Sequence, residues 1–443
     1  MLRMKIRLTA LCLLLCLSFP VIAEEGDKPV DRWRETLRYG IDTEITAALD
    51  AIRRAGERSL DKELLQVFQD SISTDVRLAI LQYYREIGFR EAAQPVLALL
   101  SAEDDEDNEL LIGLIRYFID VPHPDSIPVL ILLLDHRDQG VALAAITALG
   151  RSDSLEAAET IASRLQDREY PPELRPDLIL ALGSLQYTPA YDQLVAIIRD
   201  RNSEKIERLY ACDALGKIGD ARAVEELKRL FQEEDSLVKM YAASALANFS
   251  MEEVQNLLIQ GLRDDNPRVR ITSAKALADP QAKEAVDILI YKAKNDPEKG
   301  VRSEAIRTLG AIGGPAALDF LEELYLSESK TIADRELALT ALADNKLSRA
   351  LKAAGDLIRR DTGARDQTAL EMTAKKLAGL ESPELKSLYD QLLGSTNPAL
   401  RAHALRGIGK NGFRDYRSRI EELAEKDPHP AVRQIAASVL GTL

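Results

Sequence analysis

An acid and a cation recur six residues apart along this chain: Asp264 and Arg270, Asp296 and Arg302, Asp427 and Arg433, Glu169 and Arg175, Glu233 and Lys239. A carboxylate and a guanidinium at fixed spacing can move protons, hold an anion, or tie a turn together with charge-assisted hydrogen bonds. An active site is needed once and a joint many times, so the recurrence assigns these pairs to structure. Other sources of chemistry are thin. The four histidines, His123, His136, His403 and His429, have no partner at helical ligand spacing, and no H-E-x-x-H occurs. No Cys-x-x-Cys or phosphate loop is present. The "GAIGGP" at Gly310 falls between two helical stretches and reads as a cap and turn. The acidic run "EDDEDNE" from Glu103 lacks the glycine and terminal spacing of a calcium loop and reads as a solvated connection. No catalytic residue, metal or cofactor is expected.

The elements that hold the acid-cation pairs repeat with them. Ala145, Leu178, Ala211, Ala242, Ser273, Ala305 and Ala338 stand 33, 33, 31, 31, 32 and 33 residues apart. Thr373, Ala404 and Ala436 follow at 35, 31 and 32, and Ile80 and Leu114 fit the phase more loosely. A period in the thirties marks a helical solenoid. Each unit has an amphipathic first stretch such as "AVEELKRLF" from Ala223, with apolar residues at i, i+3 or i+4 and i+7. A break with Pro, Gly, Asp or Asn follows, then a Val-Arg helix often ending in Gly, as at Gly150, Gly183, Gly216, Gly310 and Gly409. Glycine just past a helix suits the left-handed cap. Neither stretch can bury its apolar face alone, so stacking must supply the core. The scarcity of aromatics, 5%, fits closely packed helices.

The units "DPEKGVRSEAIRTLG" (Asp296–Gly310) and "DPHPAVRQIAASVLG" (Asp427–Gly441) resemble the HEAT-repeat family, in its short-repeat branch related to phycobilisome lyases. The resemblance covers roughly residues 60–443 and departs most at the first repeats and around Thr373. It implies an all-α, right-handed α-α superhelix of about twelve helix pairs, with residues 24–59 as N-terminal capping helices. It also implies that the acid-cation pairs, Asp264, Arg270, Asp296, Arg302, Asp427 and Arg433 among them, form a ladder from repeat to repeat. Some HEAT proteins bind iron through His-Glu pairs; that dipeptide is absent here. A lyase-like enzyme is the low-ranked alternative, since no acid, base and thiol set gathers in one cleft.

Solenoids of this kind bind along the concave face, which the second helices line. With the Val of each Val-Arg as zero, positions 0, 4 and 8 face the core and positions 2 and 6 the opposite way. Position 2 reads Leu78, Ile112, Leu143, Pro176, Leu209, Met240 and Ile271, then turns polar. An apolar strip in the N-terminal part of the groove is expected, flanked by Tyr210 and Tyr241; the competing reading half-buries position 2 between repeats. Position 6 carries Lys275, Arg307, Lys375 and Arg406 in the later units.

The first residues read as a secretory signal: Arg3, Lys5 and Arg7, then "LTALCLLLCLSF", then "PVIA", with cleavage after Ala23. An uncleaved anchor would need a longer apolar run without Pro20. Lipid on Cys16 would need a small residue where Leu15 stands. Cleavage removes three cations and no acid, taking the net charge from −14 to −17. So acidic a chain does not bind nucleic acid as its main task. Only Cys212 remains, so no internal disulfide can form, and its apolar helical setting makes it a buried thiol. The expected protein is an exported, periplasmic or envelope scaffold that takes a protein or peptide in its groove and meets membranes only indirectly. A structural subunit of an envelope complex is the alternative.

Overall fold

A computed structural model describes residues 29–102, 107–360 and 366–443. The signal segment with Cys12 and Cys16, cleavage after Ala23, and Glu103–Glu106 of the acidic run lie outside the described residues. Among those described there are 26 α-helices and no strand, the all-α repeat fold expected from the period. The chain divides into two compact units, the first ending at Thr160 and the second running Ile161–Leu443, with the division inside α9 (Leu155–Gln166).

The first unit opens with α1 (Pro29–Tyr39) and α2 (Asp42–Ala55), in the span expected to cap the array. Three helix pairs follow: α3 (Asp61–Asp70) with α4 (Thr74–Ile87), α5 (Ala93–Ala102) with α6 (Asn108–Asp120), and α7 (Ile127–Leu132) with α8 (Gln139–Leu149). The second unit continues the alternation after α9 with α10 (Arg175–Ser184), then α11 (Tyr191–Arg199) and α12 (Lys205–Ile218), α13 (Ala223–Phe231) and α14 (Ser236–Leu246), α15 (Met251–Gly261) and α16 (Pro267–Ala276). It closes with α17 (Val286–Asn295) and α18 (Lys299–Ile312), α19 (Pro315–Leu326) and α20 (Ile332–Asn345), α21 (Leu347–Arg359) and α22 (Gln367–Ala378), α23 (Lys386–Leu393) and α24 (Pro398–Lys410), and α25 (Arg417–Lys426) and α26 (Pro430–Leu440).

Each register residue read from the period, from Ile80 through Ala436, lies in a second helix and is fully buried; the residues between Ala145 and Ala436 that are not alanine are Leu178, Ser273 and Thr373. Small side chains there let first and second helices approach closely. Capping residues start several of the second helices. The Asp138 carboxylate accepts from the Gly140 and Val141 amides (2.8 and 3.1 Å), and Asp235 accepts from Leu237 and Val238 (2.8 and 3.3 Å).

The glycines near the ends of second helices do not do what the sequence suggested. Gly183, Gly216 and Gly310 lie inside α10, α12 and α18, and Gly150 ends α8 in right-handed geometry. The left-handed positions come later, as at Gly219 (φ 72°) and Gly313 (φ 66°). The helical glycines serve close approach: a methyl on Gly216 would sit 2.7 Å from Ala245 Cα, and one on Gly183 2.7 Å from Ala214 Cα. They admit the backbone of the next second helix.

Candidate protein-binding face

The recurring cations occupy position 1 of the second helices, and in the second unit several of them join one repeat to the next. Arg270 donates to the backbone carbonyls of Asp264 and Asp265 (2.9 and 3.1 Å) in its own turn and to the Asp296 carboxylate (2.8 Å) in the following one. Lys239 reaches Asp264 (2.7 Å), Arg208 reaches Glu233 (2.7 Å), and Arg175 reaches Glu207 (2.9 Å). Asp264, Asp296 and Asp427 each lend a carbonyl to the arginine six residues on in their own repeat, while their carboxylates serve the repeat before. Arg302 holds the Asp296 and Pro297 carbonyls (2.7 and 2.9 Å), and Arg433 those of Asp427 and Pro428 (2.6 and 3.4 Å). Burial opposes the ionised form of Asp296, but Arg270, the Glu298 amide and Lys292 outweigh it and hold the carboxyl below its ordinary range. For Asp427 the hydrogen bonds from Arg401 dominate, in the same direction.

Two of the best-formed rungs escaped the six-residue spacing. Arg401 grips Asp427 through two bonds (2.7 and 2.8 Å), and the buried Arg335 grips Asp366 (2.5 and 3.3 Å) while donating to the Tyr325 carbonyl (2.7 Å). Reading position 1 alone, without requiring an upstream acid or a preceding valine, finds both. The first unit adds neutral donors at the corresponding turns. Thr74 donates to Asp107 (2.6 Å), and Asn108 to Asp138 (3.0 Å), each acceptor also capping the next second helix.

Opposite the core, the second helices present the residues read as a groove. In the first unit Leu78 and Ile112 are half-buried, and Leu143 is 38% exposed. Leu78 leans over Gly113, where a methyl would overlap its Cδ2, and Ile112 Cδ1 lies 3.3 Å from the place of a methyl on Gly140. In the second unit Met240, Ile271, Tyr210 and Tyr241 are half-buried, and Ile271 Cδ1 comes 3.1 Å from the place of a methyl on Gly300. Position 2 thus also packs on the next second helix. One residue must be withdrawn from the face: Leu209 is only 4% exposed and belongs to the core.

Two large apolar residues take its place. Ile206 and Leu237, at position −1 of α12 and α14, are 40% and 39% exposed. They stand four residues before Tyr210 and Tyr241, so each shares a helix face with a tyrosine. Burial, with Tyr210 and Asp213 close by, pushes the Tyr241 hydroxyl above its ordinary value. The pairing of Ile206 with Leu237 one repeat apart was visible in the sequence at a position not inspected for the groove. Lys275, Arg307, Lys375 and Arg406 are all exposed at position 6. Arg307 is engaged by Glu304 at 2.8 Å, whereas the other three have no ion pair among the described residues. Lys375 and Arg406 flank His403; burial first and then these two cations hold its pKa below the ordinary value, against Glu371.

Cys212 is buried, and burial raises its thiol pKa far above the neutral range. Among the described residues no cluster of three His, Cys, Asp or Glu could hold a metal, and no helix is long and apolar enough to cross a membrane.

The family model for spirochaete HEAT repeat proteins matches residues 37–439. The chain belongs to that family. No curated protein matches this HEAT-repeat chain. Among solved structures it is similar to an engineered protein, at 20% identity and TM-score 0.32 over 87% of this chain and 99% of the other. It is also similar to the karyopherin Kap121p bound to the extreme C-terminus of the protein phosphatase Cdc14p, at 14% identity and TM-score 0.39, over 92% of this chain and 53% of that one. Human deoxyhypusine hydroxylase in complex with glycerol gives 18% identity and TM-score 0.27 over 66% of this chain and 98% of the other. The chain spans about half the length of the karyopherin.

Proposed function

We propose that this HEAT-repeat protein is an exported, non-catalytic scaffold that holds a protein or peptide segment against its second helices. The observation that carries the reading is the apolar cluster on α12, α14 and α16: Ile206 and Leu237 exposed, with Tyr210, Met240, Tyr241 and Ile271 half-exposed around them. Side chains of this size left in water, with amphipathic rings beside them, are the usual anchors of an interface. Lys275 at its edge supplies steering and register for an acidic neighbour rather than affinity. The signal-like N-terminus supports export and a mature chain beginning at Glu24. The lyase-like branch of the family enters only as a resemblance of repeat pattern. A permanent envelope subunit would use the same face with a longer-lived complex.

The test is photo-crosslinking from Tyr210 in the mature chain within its own envelope fraction, with mass spectrometry of the adduct. One defined partner is expected, lost in Leu237→Asp with Met240→Asp while circular dichroism is unchanged. Lys228→Glu, on a first helix, should leave capture intact. Capture that survives the paired Asp variant but fails in Lys228→Glu would move the working face to the first helices.

A further inference from the structure

The first unit holds a cavity of about 530 Å³ on the second-helix face of α4 and α6. Its floor is apolar and small: Leu81 is buried, Leu78 is half-buried, and Gly113 carries no side chain to fill the space that Leu78 leans across. Its rim is charged, and nearly all of that charge is already matched. Arg85 donates to Asp120 at 2.7 Å, and Glu86 accepts from Arg53 at 3.1 Å and from Gln82 at 3.2 Å. Arg116 is the exception. It lines the cavity, is exposed, and has no ion pair among the described residues. A pocket with a short apolar floor and one spare guanidinium is complementary to a ligand with one apolar group and one carboxylate.

The spacing of the two features narrows the ligand. Gly113 and Arg116 are three residues apart on α6, so the point where Leu78 crosses Gly113 and the root of the Arg116 side chain share one helix face about 5–6 Å apart. A side chain and a carboxylate leaving the same Cα span such a distance; an acidic side chain inside a peptide would bring its apolar neighbour in from the opposite side of the backbone. The floor offers two leucines, too little for a fatty acyl chain. We propose that this cavity binds the carboxyl end of a peptide whose last side chain is apolar, with that side chain on Leu78 and Leu81 over Gly113 and the terminal carboxylate on the Arg116 guanidinium. This site goes beyond the apolar cluster of the second unit and does not depend on it.

The experiment is fluorescence anisotropy of the full chain with an N-terminally labelled peptide, Gly-Gly-Ser-Ala-Leu, as the free acid and as the C-terminal amide. The free acid is expected to bind at least about tenfold more tightly, the order of one charge-assisted contact. Arg116→Gln should abolish that difference, and Arg116→Lys should keep part of it. Gly113→Ala, whose methyl drives Leu78 into the cavity, should weaken both forms. Because Arg116 is exposed, its variants keep the test valid even if Gly113→Ala is poorly folded. The proposal is overturned if neither peptide binds, if acid and amide bind alike, or if the preference persists in Arg116→Gln. It is overturned equally if dodecanoate, or an amidated peptide with an internal glutamate, competes as well as the free acid. Leu237→Asp with Met240→Asp should not touch this binding, which separates its failure from that of the scaffold reading.

Discussion

At the scale of single residues, the two kinds of ladder arginine should behave differently. Arg335 is 2% exposed and bonded to the buried Asp366, so Arg335→Ala leaves a carboxylate uncompensated in the interior. We expect a loss of about 3–5 kcal/mol. Arg302 holds only backbone carbonyls, and Arg302→Ala should cost about 1 kcal/mol. Urea titrations of both variants, followed by circular dichroism, check the order; equal losses would make the rungs energetically idle. The carboxylates also set an acid limit. The folded pKa of Asp427 is depressed below its ordinary value of 3.8, chiefly by Arg401, and that of Asp296 is depressed by Arg270 against burial. A depressed folded pKa gives stability that is complete above the ordinary value and lost as pH falls through the lower, folded one. The urea midpoint should therefore hold down to about pH 4 and fall below it, and less steeply in Arg401→Ala. The ladder itself was legible as an acid and a cation at fixed spacing. Its true partners were not, because the carboxylate that an arginine meets belongs to the next repeat, 26 residues on for Arg270 and 31 for Arg335.

At the scale of the helix, the core register could be read because burial selects for small or apolar side chains at one position per period, and every such residue proved fully buried. Ends and faces were harder. Gly216 looks like a cap in the sequence, yet α12 runs on to Ile218 and the left-handed residue is Gly219. What demands glycine at Gly216 is the backbone of α14, a contact that no local pattern encodes. Gly216→Ala should thus force α12 and α14 apart and cost about 1–3 kcal/mol, whereas Gly219→Ala adds only the strain of a positive φ, about 1 kcal/mol. Thermal melts of the two variants distinguish these origins, since only the first should also loosen amide protection along α14. Leu209 and Ile206 teach the same lesson from the other side. Both lie on the sector opposite the core, yet Leu209 is 4% exposed and Ile206 40%, a difference that spacing along one helix does not encode.

At the scale of the whole molecule, the rungs of the second unit are unevenly spaced. Arg175–Glu207, Arg208–Glu233, Lys239–Asp264 and Arg270–Asp296 follow one another without a break. Arg302 then meets no carboxylate among the described residues, and α22 offers Leu370 where its neighbours carry a cation. Ser329 and Ser395 stand five residues before position 0, where Asp264, Asp296 and Asp427 stand in other turns. Ser329→Asp should supply the missing partner for Arg302 and stabilise the array by about 0.5–1 kcal/mol, read as a higher urea midpoint; no change in Arg302-containing protein, or the same gain in an Arg302→Ala background, would show that no rung had formed. Repeat arrays share stability between neighbours, so a junction without its ionic tie is where cooperativity is weakest. Under tension, such a protein behaves as a chain of stiff links with two compliant ones. A pulling experiment on the second unit should record its first ruptures at the α18–α20 and α22–α24 junctions, each releasing one repeat of roughly 110 Å of extended chain, while the four-rung block from Arg175 to Asp296 yields last.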